Sequence, residues 1–232
     1  MGYDRAITIF SPDGRLYQVE YAMEAVRKGW NAIGIKSGEG VVLVAERRSI
    51  SPLTESTEKI LKVDEHVGVT FSGFFADARI LIDRAREYAQ IHRILYDEPI
   101  GVELLARRVC DILQAYTQHG GVRPFGVALL IAGIDREGAQ LVGTEPSGAY
   151  VKYYAHAIGS GAPEIIRVLE KGYKPDMALR ESIMLALSSL KSVVGEDLTP
   201  ERVEIAVIDV KTGKFKKLTS DERAELISKL KQ

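Results

Sequence analysis

Residues 32–45 read Ala-Ile-Gly-Ile-Lys-Ser-Gly-Glu-Gly-Val-Val-Leu-Val-Ala. Ala32, Ile33 and Ile35 lead into Ser37-Gly38-Glu39-Gly40, and Val41 to Ala45 leads out again. Two β-branched runs around a glycine-rich turn predict a β-hairpin. The unit recurs along the chain. Ile60–Val63 and Val67–Phe71 flank Asp64-Glu65-His66. Val127–Ile134 turns at Asp135-Arg136-Glu137-Gly138 and returns through Leu141-Val142. Val203–Val210 and Phe215–Leu218 flank Thr212-Gly213. Further strands are predicted at Val151–Tyr154 and Ala155–Ile158.

Helical spacing fills the gaps between hairpins. Leu16, Val19, Ala22 (or Met23) and Val26 predict a helix ahead of the first strand, with Gly29 placed to end it. Phe74, Ala78, Leu81, Ala85, Tyr88, Ile91 and Leu95 share one face of a long helix. After Pro99, the residues Val102, Leu105, Val109, Ile112 and Tyr116 share a face of a second one, which Gly120-Gly121 and Pro124 stop. Two more helices are predicted at Pro163–Lys171 and Asp176–Val194. A last one starts at Thr219-Ser220-Asp221-Glu222, a capping box. Hairpins alternating with helix pairs suggest an α+β chain in which two antiparallel sheets stack between helix layers. Periodicity itself says only that each sheet has a face to bury. The first 15 residues lack periodicity and carry one turn signal, Ser11-Pro12-Asp13-Gly14. No linker divides the rest, so residues 16–232 are taken as one domain.

Composition removes several classes of function. At 232 residues and 46% hydrophobic, the chain has enough apolar material for one sizeable core. A net charge of -1, with no basic block beyond pairs such as Arg47-Arg48 and Lys216-Lys217, argues against a nucleic-acid partner. A single cysteine, Cys110, excludes an internal disulfide and a cysteine metal cage. No apolar run approaches membrane-spanning length, and the N-terminus lacks the pattern of a secretion signal. Met1-Gly2 invites myristoylation, but Ala6 stands where that motif needs Ser or Thr. The expectation is a cytoplasmic protein without membrane partner, metal or cofactor.

Motifs for hydrolytic, metal and nucleotide chemistry are missing: no H-E-x-x-H, C-x-x-C, P-loop or G-x-S-x-G occurs. His66, His92, His119 and His156 lack ligand-like spacing and read as surface or strand-end residues. Ile158-Gly159-Ser160-Gly161 resembles a dinucleotide loop, but the third glycine falls at Glu164, an acid that would repel a pyrophosphate. A tight strand-to-helix turn is the better reading. Cys110 reads as a packing residue.

Residues 3–22, Tyr-Asp-Arg-Ala-Ile-Thr-Ile-Phe-Ser-Pro-Asp-Gly-Arg-Leu-Tyr-Gln-Val-Glu-Tyr-Ala, closely resemble the N-terminal signature of proteasome α-type subunits, archaeal ones in particular. Residues 40–48, 58–64, 72–79, 116–135 and 157–162 fit the same family, so the likeness spans nearly the whole chain. It implies a four-layer αββα sandwich of the N-terminal-nucleophile hydrolase type. It also implies a seven-membered ring of α subunits stacked on proteasome β subunits, with unfolded protein substrates in transit through it. Active members of that fold use a Thr, Ser or Cys freed at the start of the first strand. Here the place is Gly29-Trp30-Asn31, without a nucleophile, and a helix precedes it. Gly143-Thr144 and Gly159-Ser160 are the other Gly-nucleophile pairs, and cutting at either would discard more than half the domain. Glu46 and Lys59 fall where the active relatives keep an acid and a lysine. The expectation is therefore a structural and gating subunit with no catalytic residue. The alternatives are an active hydrolase or a nucleotide-binding domain.

The resemblance also assigns sites. Lys59 matches a lysine that captures the terminal carboxylate of a regulatory ATPase's tail, a charge-assisted contact. Gly29, Gly73 and Phe74 match other positions of that pocket, although the family often has a smaller aliphatic residue at the last. Without the resemblance, Lys59 reads as a solvated strand-edge lysine. Tyr3, Asp4, Pro12 and Tyr21 match a cluster that holds the axial gate open, which makes residues 1–15 a gate segment. Only Met1-Gly2 precede Tyr3, whereas α-type chains usually carry a longer plug, so a leaky gate is expected. The helix from Leu16 to Lys28 and the loop Gly120-Gly121-Val122-Arg123 are the expected ring contacts.

Overall fold

The computed structural model describes residues 8–48, 53–54 and 57–230. Tyr3 and Asp4 lie outside them. In chain order the elements are α1 (Tyr17–Arg27), β1 (Ala32–Ser37), β2 (Gly40–Glu46), β3 (Ile60–Asp64), β4 (Val67–Gly73), α2 (Phe75–Tyr96), α3 (Val102–Gln118), β5 (Val127–Asp135), β6 (Gly138–Thr144), β7 (Tyr150–Lys152), β8 (Ala155–Ile158), α4 (Ala162–Gly172), α5 (Leu179–Val194), β9 (Val203–Asp209), β10 (Phe215–Lys217) and α6 (Ser220–Lys229).

The strands form two antiparallel sheets of five, in the orders β10-β9-β2-β1-β8 and β3-β4-β5-β6-β7. The opening hairpin closes with Ser37 opposite Gly40. Strand alternation then sorts side chains between two faces. From β2, Val41, Leu43 and Ala45 meet Ala128, Leu130, Ala132 and Leu141 of the other sheet in a core between the sheets. Val42 and Val44 point the opposite way, to Leu187 and Leu190 of α5. In the second sheet Val69, Phe71, Leu129 and Ile131 lie under Leu81 and Ile82 of α2 and Leu105 and Val109 of α3. The result is the α+β, αββα sandwich, with every residue of β2 buried. A strand covered on both faces reads as an unbroken apolar run, which is why Val41 to Ala45 shows no polar alternation.

Helix α1 lies against β4 and β5 at one end of the sandwich. Its Val19, Ala22 and Val26 are buried. Ahead of it the predicted turn is present: the Gly14 N–H donates to the Ser11 carbonyl at 2.9 Å, with Gly14 at φ 74°.

Several expectations need correction. The long apolar face ending at Leu95 is buried only through Ala89; Ile91 and Leu95 are exposed, and Ile94 is 81% exposed. Arg93 in the last turn still reaches Asp64 at the end of β3, at 2.8 Å, while the apolar side chains beside it are left uncovered. Phe74 stands just before the helix rather than inside it. Strand β7 stops at Lys152 because Tyr153 and Tyr154 carry the chain from one sheet to the other. The Tyr153 N–H still donates to Leu141 of the second sheet, while the Tyr154 carbonyl accepts from Lys36 of the first. Helix α5 starts at Leu179, not Asp176, where Glu181 accepts the Ala178 N–H and Glu39 the Leu179 N–H, both at 2.9 Å. Of the two readings given for His66 the strand-end one holds, since it stands between β3 and β4, and it is buried there; its Nε2 lies 2.8 Å from the Ile100 carbonyl.

The Gly159 loop is the tight turn expected. A Cβ on Gly159 would stand 2.8 Å from Asn31 Cα, and the Ser160 and Gly161 N–H groups already donate to Gly29 and Asn31. Those donors are not free for a phosphate. Cys110 is buried, and desolvation pushes its thiol up to about 12, so it packs rather than reacts. Among the described residues no helix is long and apolar enough to cross a membrane, and no group of His, Cys, Asp and Glu is arranged to hold a metal ion.

Candidate functional site

A cavity of about 640 Å³ opens where the end of α1 meets β4 and the start of α2. It brings together all four residues assigned to the tail pocket, Lys59, Gly29, Gly73 and Phe74, and adds Tyr21 from the gate set. Pro12 and Tyr21 are both exposed. Around Lys59 the walls are Trp30, Phe71 and Phe75.

Lys59 is not the solvated strand-edge lysine that its sequence context alone suggests: it is 4% exposed. Its Nζ donates to the Phe71 carbonyl at 2.7 Å and lies 3.9 Å from the Phe71 ring centre and 5.8 Å from that of Trp30. Burial pushes the amine down to about 8, against the pull of Glu204 and Glu46, which favour the charged form. Glu204 also fixes the backbone there. Its Oε2 accepts the N–H groups of Lys59 at 3.1 Å and Ile60 at 2.8 Å, and Arg47 pairs with its Oε1 at 3.2 Å.

The two glycines are required by the chain's own packing. A side chain on Gly29 would meet Ser72 Oγ at 2.2 Å and the Gly73 nitrogen at 2.4 Å. Gly73 sits at φ 111°, and a Cβ there would stand 2.1 Å from the Gly126 carbonyl oxygen. The backbone that approaches them is the chain's own. They let the end of α1, β4 and the start of β5 touch, and so form the floor of the cavity. Ser72 Oγ ties this floor to α1 by donating to the Val26 carbonyl at 3.0 Å.

Where an active relative would hold its nucleophile, the polar groups are consumed. Glu46 is fully buried and its Oε2 accepts the backbone N–H of Asn31 at 3.2 Å and the Asn31 side-chain amide at 2.9 Å. Asn31 Oδ1 in turn accepts the Gly161 N–H at 2.6 Å. Trp30 presents an indole to the cavity in place of a hydroxyl or thiol. The arrangement offers an ammonium among aromatic rings, suited to receiving a carboxylate.

Sequence reasoning passed over Trp30 and Phe71 as walls, Glu204 as a support and Asp77. Glu204 had a usable signal, an acid inside the apolar run Val203–Val210. Asp77, in the first turn of α2, is buried and accepts two hydrogen bonds from Arg123 and one from the Gly126 N–H. Arg15, unassigned from sequence, pairs with Glu20.

Residues 3–25 match the N-terminal signature of A-type proteasome subunits, and residues 26–208 match the family described as "Proteasome subunit". The chain is 56% identical over 230 residues to the proteasome alpha subunit of Methanocaldococcus jannaschii, covering 98% of this chain and 88% of that protein. Against the proteins of the same name from Sulfolobus acidocaldarius and Saccharolobus islandicus it is 53% identical, covering 99% of this chain and 97% of each.

Proposed function

Because the chain belongs to the proteasome subunit family, as one of its non-catalytic α-type members in the core particle, we propose that it builds a seven-membered outer ring that gates substrate passage and docks a regulatory ATPase. Members of this kind assemble with other proteasome subunits. In this reading residues 1–15 form the gate segment and residues 16–232 the ring-forming domain. The ring stands on proteasome β subunits in the cytoplasm and passes unfolded proteins to them. Tyr3, Asp4, Pro12 and Tyr21 belong to the gate.

The observation that carries the docking part is Lys59, an ammonium buried at the base of a cavity with aromatic walls. A peptide's terminal carboxylate would gain a charge-assisted bond in surroundings where water screens it little. Its last side chains would lie against Trp30, Phe74 and Phe75. Lys59→Ala in the assembled particle tests this. The expected result is an intact ring of unchanged native mass in which ATPase-stimulated peptide hydrolysis falls to the unstimulated rate. Undiminished stimulation would remove Lys59 from the docking site, and a chain that stays monomeric with its β partner would remove the ring.

A further inference from the structure

Phe74 is the most exposed aromatic wall of the cavity, at 55%, yet its surroundings hold it in one place. Its backbone N–H donates to the Gly126 carbonyl at 2.9 Å. A Cβ on Gly126 would stand 2.6 Å from the Phe74 ring, so the ring rests on bare backbone. Three residues further on, the Asp77 carboxylate is buried and accepts from Arg123 Nη1 and Nη2 at 2.7 Å each and from the Gly126 N–H at 2.8 Å. Arg123 also donates to the Pro124 carbonyl at 3.0 Å, and its guanidinium lies 5.9 Å from the Phe74 ring centre. The guanidinium thus binds the loop after α3 to the first turn of α2 and borders the aromatic ring between them.

We infer that Asp77 and Arg123 are a positioning pair for the cavity: the fork between them fixes the 123–126 run against residues 73–77 and so sets the place and angle of the Phe74 wall. A planar guanidinium held by both carboxylate oxygens fixes orientation as well as distance, which a lysine in its place would not. The Arg123 side chain is 61% exposed, so whatever packs on the loop at residues 119–124 acts on this pair directly. The inference rests on the docking reading above. It adds that the pocket's shape is set from outside the pocket, by a loop that carries two glycines with open space around them, Gly120 and Gly121.

Trp30, the chain's one tryptophan, lines the same cavity and reports on it. The probe is an N-acetylated apolar heptapeptide with a free C-terminal carboxylate, titrated into the assembled full chain while Trp30 emission is followed. Its C-terminal amide serves as control. Arg123→Ala is expected to weaken carboxylate-dependent binding about tenfold. Arg123→Lys should restore little of it, and Phe74→Ala should weaken it to a similar degree. The deciding measurement is the double variant, expected to bind no more weakly than Phe74→Ala alone, because the pair acts through that ring. Wild-type affinity in Arg123→Ala, or penalties that multiply in the double variant, overturns the inference while leaving Lys59 as the docking residue. If the unmodified chain ignores the peptide, the docking reading fails. The positioning pair is then judged on unliganded Trp30 emission. Arg123→Ala must shift it when Phe74 is present and leave it unshifted in Phe74→Ala; any other pattern overturns the pair as well.

Discussion

Replacing Lys59 by methionine should stabilise the fold at neutral pH. The amine is held at about 8 in place of 10.5, chiefly by burial. At about 1.4 kcal/mol per unit, keeping it charged at pH 7 costs the folded state roughly 3 kcal/mol. Methionine keeps the length of the stem and fills the same space without a charge. It also leaves the Phe71 carbonyl without the partner it has at 2.7 Å, a loss of about 1–2 kcal/mol. The balance is a gain of about 1 kcal/mol, or a melting temperature higher by about 2–4 °C for a chain of this size. The direction with pH follows from proton binding. Between pH 8 and 10.5 the unfolded chain holds this proton and the folded one releases it, so wild-type stability rises with pH there. The advantage of Lys59→Met is complete below about pH 8, shrinks through that window and turns into a deficit near pH 10.5, where the orphaned carbonyl remains and the charge cost is gone. Urea unfolding at fixed protein concentration, at about pH 7 and about pH 10, reads both points. A variant less stable than wild type at neutral pH, or a difference that ignores pH, would refute the premise that Lys59 is a buried charge held at a cost.

Two further expectations concern the cavity floor and its latch. Gly29→Ala places a methyl 2.2 Å from Ser72 Oγ and 2.4 Å from the Gly73 nitrogen, which should cost about 1–3 kcal/mol in overpacking; an unshifted urea midpoint would contradict the close approach. Burial alone would raise the Asp77 and Asp64 carboxyls, but the hydrogen bonds from Arg123 and Gly126 to one, and from Arg93 and the Glu65 N–H to the other, outweigh it and hold both below the ordinary carboxylate range. Their stabilisation is therefore present above about pH 4 and lost as pH falls through the depressed values. Asp77→Asn should be less stable than wild type at neutral pH and approach it in acid melts; a gap that widens in acid would reverse the assignment.

Much of this was legible in the sequence for a physical reason. Hairpins announce themselves locally, because the turn at Ser37–Gly40 and the runs beside it are adjacent in the chain. The pairing of Lys59 with Glu204 is not local. It joins residues far apart in sequence across two sheets, and nothing in Glu58-Lys59-Ile60 shows that the lysine turns inward. The exposure of Ile91 and Leu95 was missed because periodicity records which face is apolar, not how much of it is covered. The crossing at Tyr153-Tyr154 was missed because two strands with the same apolar pattern can belong to one sheet or to two. Gly29 and Gly73 both line the cavity, but the reason they must be glycine, close contact between α1, β4 and β5, appears only in three dimensions.

That contact gives the cavity an uneven mechanical character. Its floor at Gly29 and Gly73, backed by Gly126, is main chain pressed on main chain. Apart from Lys59, already held by the Phe71 carbonyl, it has no rotamers to freeze when a guest arrives, so the entropy of ordering falls on the guest and on the aromatic rim. A socket with a stiff base distinguishes guests by how much freedom they lose in reaching it. A tail already held rigid near its end would dock more tightly than a limp one of the same composition, with no new contact made.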